Sequence, residues 1–304
     1  ERARAAVADF DVDKNGRPYA TPANVRLALD KLGVQLEYDS FADRSYISGL
    51  SEFGPVINDA ALTRLWLLIE EQYQLYVGKD RFWSIASDLA RRSPRHPVCE
   101  YLDELEWDGT HRLDRWLVEY MGAEDTAYVR TVGAIVLVAA VRRVRQPGCK
   151  FDEMLVLEGP QGRGKSTALS ILAGHEDWFS DDLPLGADTK RFIEATAGRW
   201  IVEAGELKGM RKSEVEAIKS LLSRRVDRAR LAYGRTTTEI PRQFVIVGTT
   251  NSERYLRDNT GNRRFWPVRT RDIDLKGIRR DRDQLWAEAA QRFAAEVDGM
   301  RAAA

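Results

Sequence analysis

Leu155-Val156-Leu157-Glu158-Gly159-Pro160-Gln161-Gly162-Arg163-Gly164-Lys165-Ser166-Thr167 carries an apolar run into a glycine-rich turn, and the turn opens into Ala168-Leu169-Ser170-Ile171-Leu172-Ala173. The spacing is G-x-x-x-x-G-K-[ST], with a strand expected before it and a helix after it, which is the setting this motif requires. Glycines let the backbone curl around an anion so that its N–H groups converge at a helix N-terminus. Gly159, Gln161, Gly162, Arg163, Gly164, Lys165, Ser166 and Thr167 therefore form the expected cradle for ATP. Lys165 is expected to reach the β- and γ-phosphates, and the Ser166 hydroxyl to hold Mg²⁺. A chance glycine-rich turn is the competing explanation, and both flanks argue against it.

Outward from this loop, strands alternate with helices. Strands are expected at 154–158, 199–203, 244–249 and 265–269, and helices at 165–173, 189–195, 212–222 and 283–297. Alternation of this kind predicts an α/β fold with a parallel sheet flanked by helices. The region before it reads differently. Helical apolar spacing recurs at 24–32, 60–76 and 82–92, with a strand at 34–38. Three segments are expected: a mostly helical N-terminal region over 1–96, a helical lead-in over 97–150, and the P-loop domain over 151–304.

Composition excludes several classes. Lys plus Arg and Asp plus Glu are equal at 47 each, so net charge argues neither for nor against nucleic acid. The two cysteines, Cys99 and Cys149, and the three histidines are scattered without metal-type spacing. A disulfide scaffold and a zinc site are not expected, and a reducing cytoplasm fits. The apolar run Val132–Val141 is far shorter than the about 20 residues a membrane span needs. No signal peptide is read. The chain opens on Glu1 without methionine, as a piece of a longer protein would.

Four further stretches bear on chemistry. Trp200-Ile201-Val202-Glu203-Ala204-Gly205-Glu206 is an apolar strand ending in acids. One acid there can hold the Mg²⁺ shell while another orients the attacking water. Glu203 and Glu206 lie three apart, and side chains three apart on an ideal strand face opposite ways. Which acid serves the metal and which the water stays open. Phe244 to Asn251 is a buried strand whose tip, Asn251, can bond both the γ-phosphate and the attacking water, although a turn-forming Asn at a strand end is common. Arg263 and Arg264 precede the last strand, where an arginine given by a neighbouring subunit can neutralise charge on the γ-phosphate; a surface ion pair is the bland alternative. The stretch Lys208 to Arg235 is strongly basic, with Tyr233 near an expected hairpin tip. Lys219, Arg228, Arg230 and Tyr233 are the residues expected to meet DNA, and a solvated charged surface is the competing explanation.

Together these strings resemble the virulence-associated protein E family of phage and genomic-island ATPases, related to superfamily 3 helicases of the AAA+ class. The resemblance rests on Trp107-Asp-Gly109 with Arg112-Leu-Asp114, Pro147-Gly148 with Phe151-Asp152, the P-loop, and Trp178-Phe-Ser-Asp-Asp182. It continues through Arg199 to Glu203 and Glu206, Tyr233-Gly-Arg235, Thr249-Thr-Asn251 and Gly261 to Val268. The resemblance covers about residues 97–298. It implies an AAA+-like ATPase that assembles as a homo-oligomeric, hexameric ring on single-stranded DNA, alongside other replication proteins. Asn251 would be the sensor and Arg263 or Arg264 the arginine finger. Many relatives carry a primase region upstream; no primase signature is read here, so priming is not expected. The expected activity is DNA-dependent ATP hydrolysis by a replicative helicase. A regulatory or defence ATPase that assembles without unwinding is the alternative, and a small-molecule kinase fits the arginines poorly.

Overall fold

In the computed structural model of the chain, the described residues are 9–50, 52–205, 207, 212–230, 237–251 and 262–302. They belong to two units, Glu1–Pro97 and Val98–Ala304. In the first, Thr21 caps helix α1 (Pro22–Lys31) by accepting the Asn24 N–H at 3.2 Å. Pro22 takes the first turn, where its missing N–H costs nothing. Strands β1 (Gln35–Asp39) and β2 (Arg44–Ser48) pair antiparallel, with Leu36 opposite Ile47. Helix α2 (Asp59–Tyr73), capped by Asn58, and helix α3 (Lys79–Arg91) follow. The short β3 (Pro94–Arg95) then joins β1 in parallel. Val25, Leu29, Leu65, Ile69 and Phe82 form the core of this mostly helical unit.

The second unit begins with helices α4 (Pro97–Asp103), α5 (Trp116–Glu119) and α6 (Ala127–Arg145). After them come β4 (Met154–Glu158), α7 (Lys165–Ala173), β5 (Phe179–Ser180), α8 (Thr189–Thr196), β6 (Ile201–Ala204) and α9 (Lys212–Leu222). A hairpin of β7 (Val226–Ala229) and β8 (Thr238–Pro241) precedes β9 (Val245–Thr250), β10 (Phe265–Arg269) and α10 (Leu275–Ala302). The sheet is all parallel, in the order β10-β4-β9-β6-β5. Its strands are apolar on both faces because helices cover both. Met154, Val156, Val202 and Ile246 face α8 and α9 through Phe192, Val215 and Ile218. The alternate residues face α6 and α7, on which α10 packs. This is the α/β core, with a parallel sheet flanked by helices, that the sequence led us to expect.

Two expectations need physical comment. The apolar run Val132–Val141 is the buried middle of α6, and Gly133 there lets α5 pack close, since a Cβ would lie 2.8 Å from Leu117 Cδ1 and 2.9 Å from Trp116 Nε1. Helix α10 starts at Leu275 rather than at Asp283. Its first turns are masked in the sequence by the charged run Arg279 to Asp283, but Asp274 accepts the Gly277 N–H at 2.9 Å and so begins the helix earlier.

Candidate active site

The glycine-rich turn connects the C-terminal end of β4 to α7, as its flanks require. Gly162 and Gly164 have φ of +75° and +86°, the left-handed region that side chains disfavour. Gly159 is needed for another reason: a Cβ there would lie 2.7 Å from Thr270 Oγ1 and 2.9 Å from the Thr270 carbonyl. Its N–H is already given to the Thr250 carbonyl at 3.0 Å. Gly159 therefore closes the loop onto the sheet. A cavity of about 840 Å³ lies over the loop, lined by Gln161 to Thr167 on one side and by Asp181, Asp182, Glu203, Thr249 and Asn251 on the other.

Lys165 is buried and donates to the carbonyls of Gly159 at 2.7 Å and Pro160 at 2.9 Å. Burial pushes its ammonium below the ordinary lysine range, and the Glu203 carboxylate opposes that push. Phosphate oxygens would compete with the two carbonyls for this cation. Arg163 is exposed, with Asp272 at 3.5 Å.

Strand order places Glu203 more subtly than the sequence suggested. The acid strand β6 is not beside β4; β9 lies between them. Glu203 sits level with Val247, and Thr249 level with Leu157, so Glu203 and Thr249 share the face that α7 covers. Ser166 Oγ donates to Glu203 Oε1 at 2.8 Å, and Thr249 Oγ1 bonds the same oxygen. Glu203 is 2% exposed, and among the described residues its Oε2 has no hydrogen-bond partner. An orphaned carboxylate oxygen beside a serine hydroxyl, in a cavity lined by a phosphate-type loop, fits a hard divalent cation. Among the described residues no cluster of three His, Cys, Asp or Glu side chains forms a ready-made cage.

Asn251 ends β9 at the cavity wall and is exposed. Glu206 and Tyr233 lie outside the described residues. Arg263 and Arg264 form a short turn at the N-terminal end of β10, where Phe265 is level with Met154. Five residues of strand separate that end from the P-loop, about 16 Å at strand rise. The fold does not bring either arginine to this chain's own cleft; Arg263 is exposed at the opposite end of an edge strand.

The basic stretch divides. Lys219 is 6% exposed and pairs with Glu216 at 2.9 Å, so it is not offered to a partner surface. Its position on the inner face of α9 gives it that role. Arg228 and Arg230 are exposed, and Arg228 pairs with Glu239 across the hairpin at 2.9 Å.

Sequence reasoning missed several contributors. Thr249 was passed over because a threonine at a strand tip carries no signal until its strand is placed between β4 and β6. Asp181 and Asp182 were quoted only as part of a longer string. Arg269 and Arg271 line a second cavity, of about 530 Å³, behind Gly159 and Pro160. The Trp107 to Asp114 string turns out to be an anchor. Glu288 of α10 accepts the backbone N–H groups of Arg112 at 2.7 Å and Leu113 at 2.8 Å, and Arg292 pairs with Asp114 at 2.6 Å.

Residues 102–303 match the virulence-associated protein E-like domain. Solved structures of the NrS-1 C-terminal region in apo form share the fold. The A form of residues 305–718 is 14% identical with a TM-score of 0.54, covering 88% of this chain and 69% of that one. A second apo structure of the same region gives 12% and 0.54, and another A form 11% and 0.56, each over the same shares. No curated protein matches the chain. Among the described residues no helix is long and apolar enough to cross a membrane.

Proposed function

The chain belongs to the virulence-associated protein E-like family, and from that premise we propose that it is a DNA-dependent ATPase, a replicative helicase of a phage or mobile element working in the host cytoplasm. The observation that carries the ATPase part is Glu203, buried between Ser166 and Thr249 with one carboxylate oxygen unpartnered among the described residues at the mouth of a P-loop cavity. Lys165 and the N–H groups from Gln161 to Thr167 bind and orient the triphosphate. Ser166 and Glu203 would hold Mg²⁺. When bound, the ion neutralises charge on the β- and γ-phosphates. Asn251, on the cavity wall, would orient the attacking water, with Glu206 as a further acid for that task.

Arg263 and Arg264 support assembly. They sit too far along the sheet to serve their own site, so the finger would act on a neighbour's γ-phosphate in a ring, hexameric in the family reading. Arg228 and Arg230 on the hairpin would follow the phosphates of a single DNA strand. Lys219 drops out of that set because it is buried. The test is ATP turnover with and without single-stranded DNA, measured beside the solution mass. DNA-stimulated hydrolysis by an oligomer is expected. Turnover indifferent to DNA, in an assembled protein, would favour a regulatory ATPase that does not unwind; no turnover in either condition would remove the reading.

A further inference from the structure

The sequence poses a puzzle that the sheet resolves. A P-loop site commonly uses two acids, yet β6 itself carries only Glu203, and the next acid in the sequence, Glu206, comes three residues later, after Gly205. The topology brings a second source of carboxylate to the same place. Strand β5 is the sheet neighbour of β6 and runs parallel to it, with Phe179 level with Ile201 and Ser180 level with Val202. Asp181 is the first residue past the end of β5, as Glu203 is the first past Val202 on the neighbouring strand. The two chains are close at this height: the Asp181 carbonyl is 4.0 Å from where a Cβ on Gly205 would stand.

Both Asp181 and Asp182 line the cavity with Glu203. They are exposed, and among the described residues neither carboxylate has a hydrogen-bond or ion-pair partner. Asp182 is held by its backbone, its N–H reaching Ser180 Oγ at 3.3 Å. Arg199 fixes the strand behind it by donating to the Phe179 carbonyl at 3.1 Å. The independent sign that something belongs between these acids is Glu203 Oε2, which is buried and unpartnered among the described residues. Arg163 and Lys165 are the cations of the lining, and both belong to the loop side, where phosphates would claim them. The acid side has no cation of its own among the described residues.

We infer that Asp181 and Asp182 supply the second carboxylate of the divalent-cation site, from the bend that ends the strand beside Glu203 rather than from Glu203's own strand. The inference rests on the ATPase reading and deepens it. Exposed acids on the cavity wall would act on the ion through its water shell, since Mg²⁺ gives up its waters reluctantly. Two solvated loop acids with no such task are the alternative.

The test is a Mn²⁺ titration of the full chain saturated with ADP, followed by the electron paramagnetic resonance of the ion. ADP binding in EDTA, which needs the P-loop and not the acids, reports an intact fold. For Asp181→Asn with Asp182→Asn, ADP binding in EDTA is expected within about twofold of wild type. The Mn²⁺ needed for half-saturation should rise by about 10- to 100-fold, the usual cost of losing an outer-shell partner. A Mn²⁺ curve that overlays wild type would overturn the inference. Should the double variant lose ADP binding in EDTA, each single Asn variant is titrated the same way, and wild-type Mn²⁺ affinity in both would overturn it equally. A wild type that binds no adenine nucleotide would instead remove the ATPase reading on which the inference stands.

Discussion

Two buried carboxylates in the same unit meet opposite fates. Asp227, on the hairpin strand β7, is 4% exposed, and both of its oxygens are taken by Arg242 at 2.6 and 2.8 Å. Arg242 is itself 3% exposed, bonds the Leu221 carbonyl, and lies over the rings of Phe192 and Phe244. Glu203, on β6, is 2% exposed, with one oxygen shared by Ser166 and Thr249 and the other without a partner among the described residues. Burying a charge is expensive unless it is paired and hydrogen-bonded. A carboxylate completed from within the chain thus belongs to the architecture. One left half complete among the described residues at a cavity wall is the kind that a ligand would complete, and such groups concentrate at functional sites.

The strongest way to break this contrast is to remove the charge that serves the cavity. Lys165→Ala should reduce ATP turnover by about 10³-fold or more, because on the proposed reading it deletes the cation that would meet the transferring phosphate. Glu203→Gln should still bind ATP but hydrolyse it poorly, and neither change should shift thermal unfolding by more than a few degrees. Turnover by Lys165→Ala at the wild-type rate would end the assignment of this cleft.

The converse experiment targets the completed carboxylate. Arg242→Ala leaves Asp227 buried with only the half-exposed Arg224 nearby, at 3.9 Å, and removing the buried partner of such a pair costs about 3–5 kcal/mol. For a unit of this size the melting temperature should fall by about 10 °C. Nucleotide affinity below the transition should stay unchanged, since the pair lies on the opposite face of the sheet from the P-loop helix. Calorimetry and nucleotide titration on the same preparation separate the two effects. A wild-type melting curve for Arg242→Ala would mean that completeness of pairing does not mark structural charge here.

What the sequence disclosed follows the range of the interactions involved. The P-loop was legible because its requirements are local: glycines at fixed offsets, a lysine, a hydroxyl, and flanks of the right period. Strands 154–158 and 265–269 and helices 165–173 and 212–222 match their expected bounds for the same reason. Thr249 and the Asp181–Asp182 step were not legible as site residues, since their meaning depends on β9 and β5 flanking β6, and strand order is a nonlocal property. Lys219 illustrates the opposite failure. Composition counts it among the cations of a basic stretch, but only the packing of α9 shows that it faces inward. The Trp107 to Asp114 string was read as a family mark, and its physical task appears only when α10 comes back from more than 170 residues away to receive it.

That anchor gives a pH-dependent comparison of intermediate size. Burial pushes the Glu288 carboxyl up, but the N–H groups of Arg112 and Leu113, with His111 and Arg292, together hold it below the ordinary glutamate range. A carboxyl whose folded value is depressed stabilises the protein above its unfolded value, and the contribution is lost as pH falls toward the folded one. Glu288→Gln should cost about 2 kcal/mol at neutral pH, in the range of hydrogen bonds to a charged group. The gap from wild type should then narrow as the pH drops below the ordinary glutamate range. Urea unfolding at several pH values measures both. A gap that stays constant from neutral pH into acid would mean that the carboxylate charge contributes nothing to the anchor.

The smallest effect concerns a charge whose allegiance the structure leaves divided. Arg228 is paired with Glu239 across the hairpin, but both side chains are largely exposed, at 68% and 59%. An exposed pair of this kind is worth about 0–1 kcal/mol, so Arg228→Ala together with Arg230→Ala should leave stability within that margin. If these arginines also face DNA phosphates, each neutralised phosphate releases counterions and contributes about 0.7 to the slope of log affinity against log salt for a single strand. The double variant should then bind single-stranded DNA more weakly at every sequence, and its salt slope should flatten by about 1.4. Basal turnover should persist while stimulation by DNA disappears, because the hairpin lies outside the nucleotide cavity. Binding and slope equal to wild type would return Arg228 to Glu239 as a purely structural cation. The hairpin would then stand with Asp227 and Arg242 on the architectural side of the comparison, and the DNA-binding surface would have to be sought elsewhere on the chain.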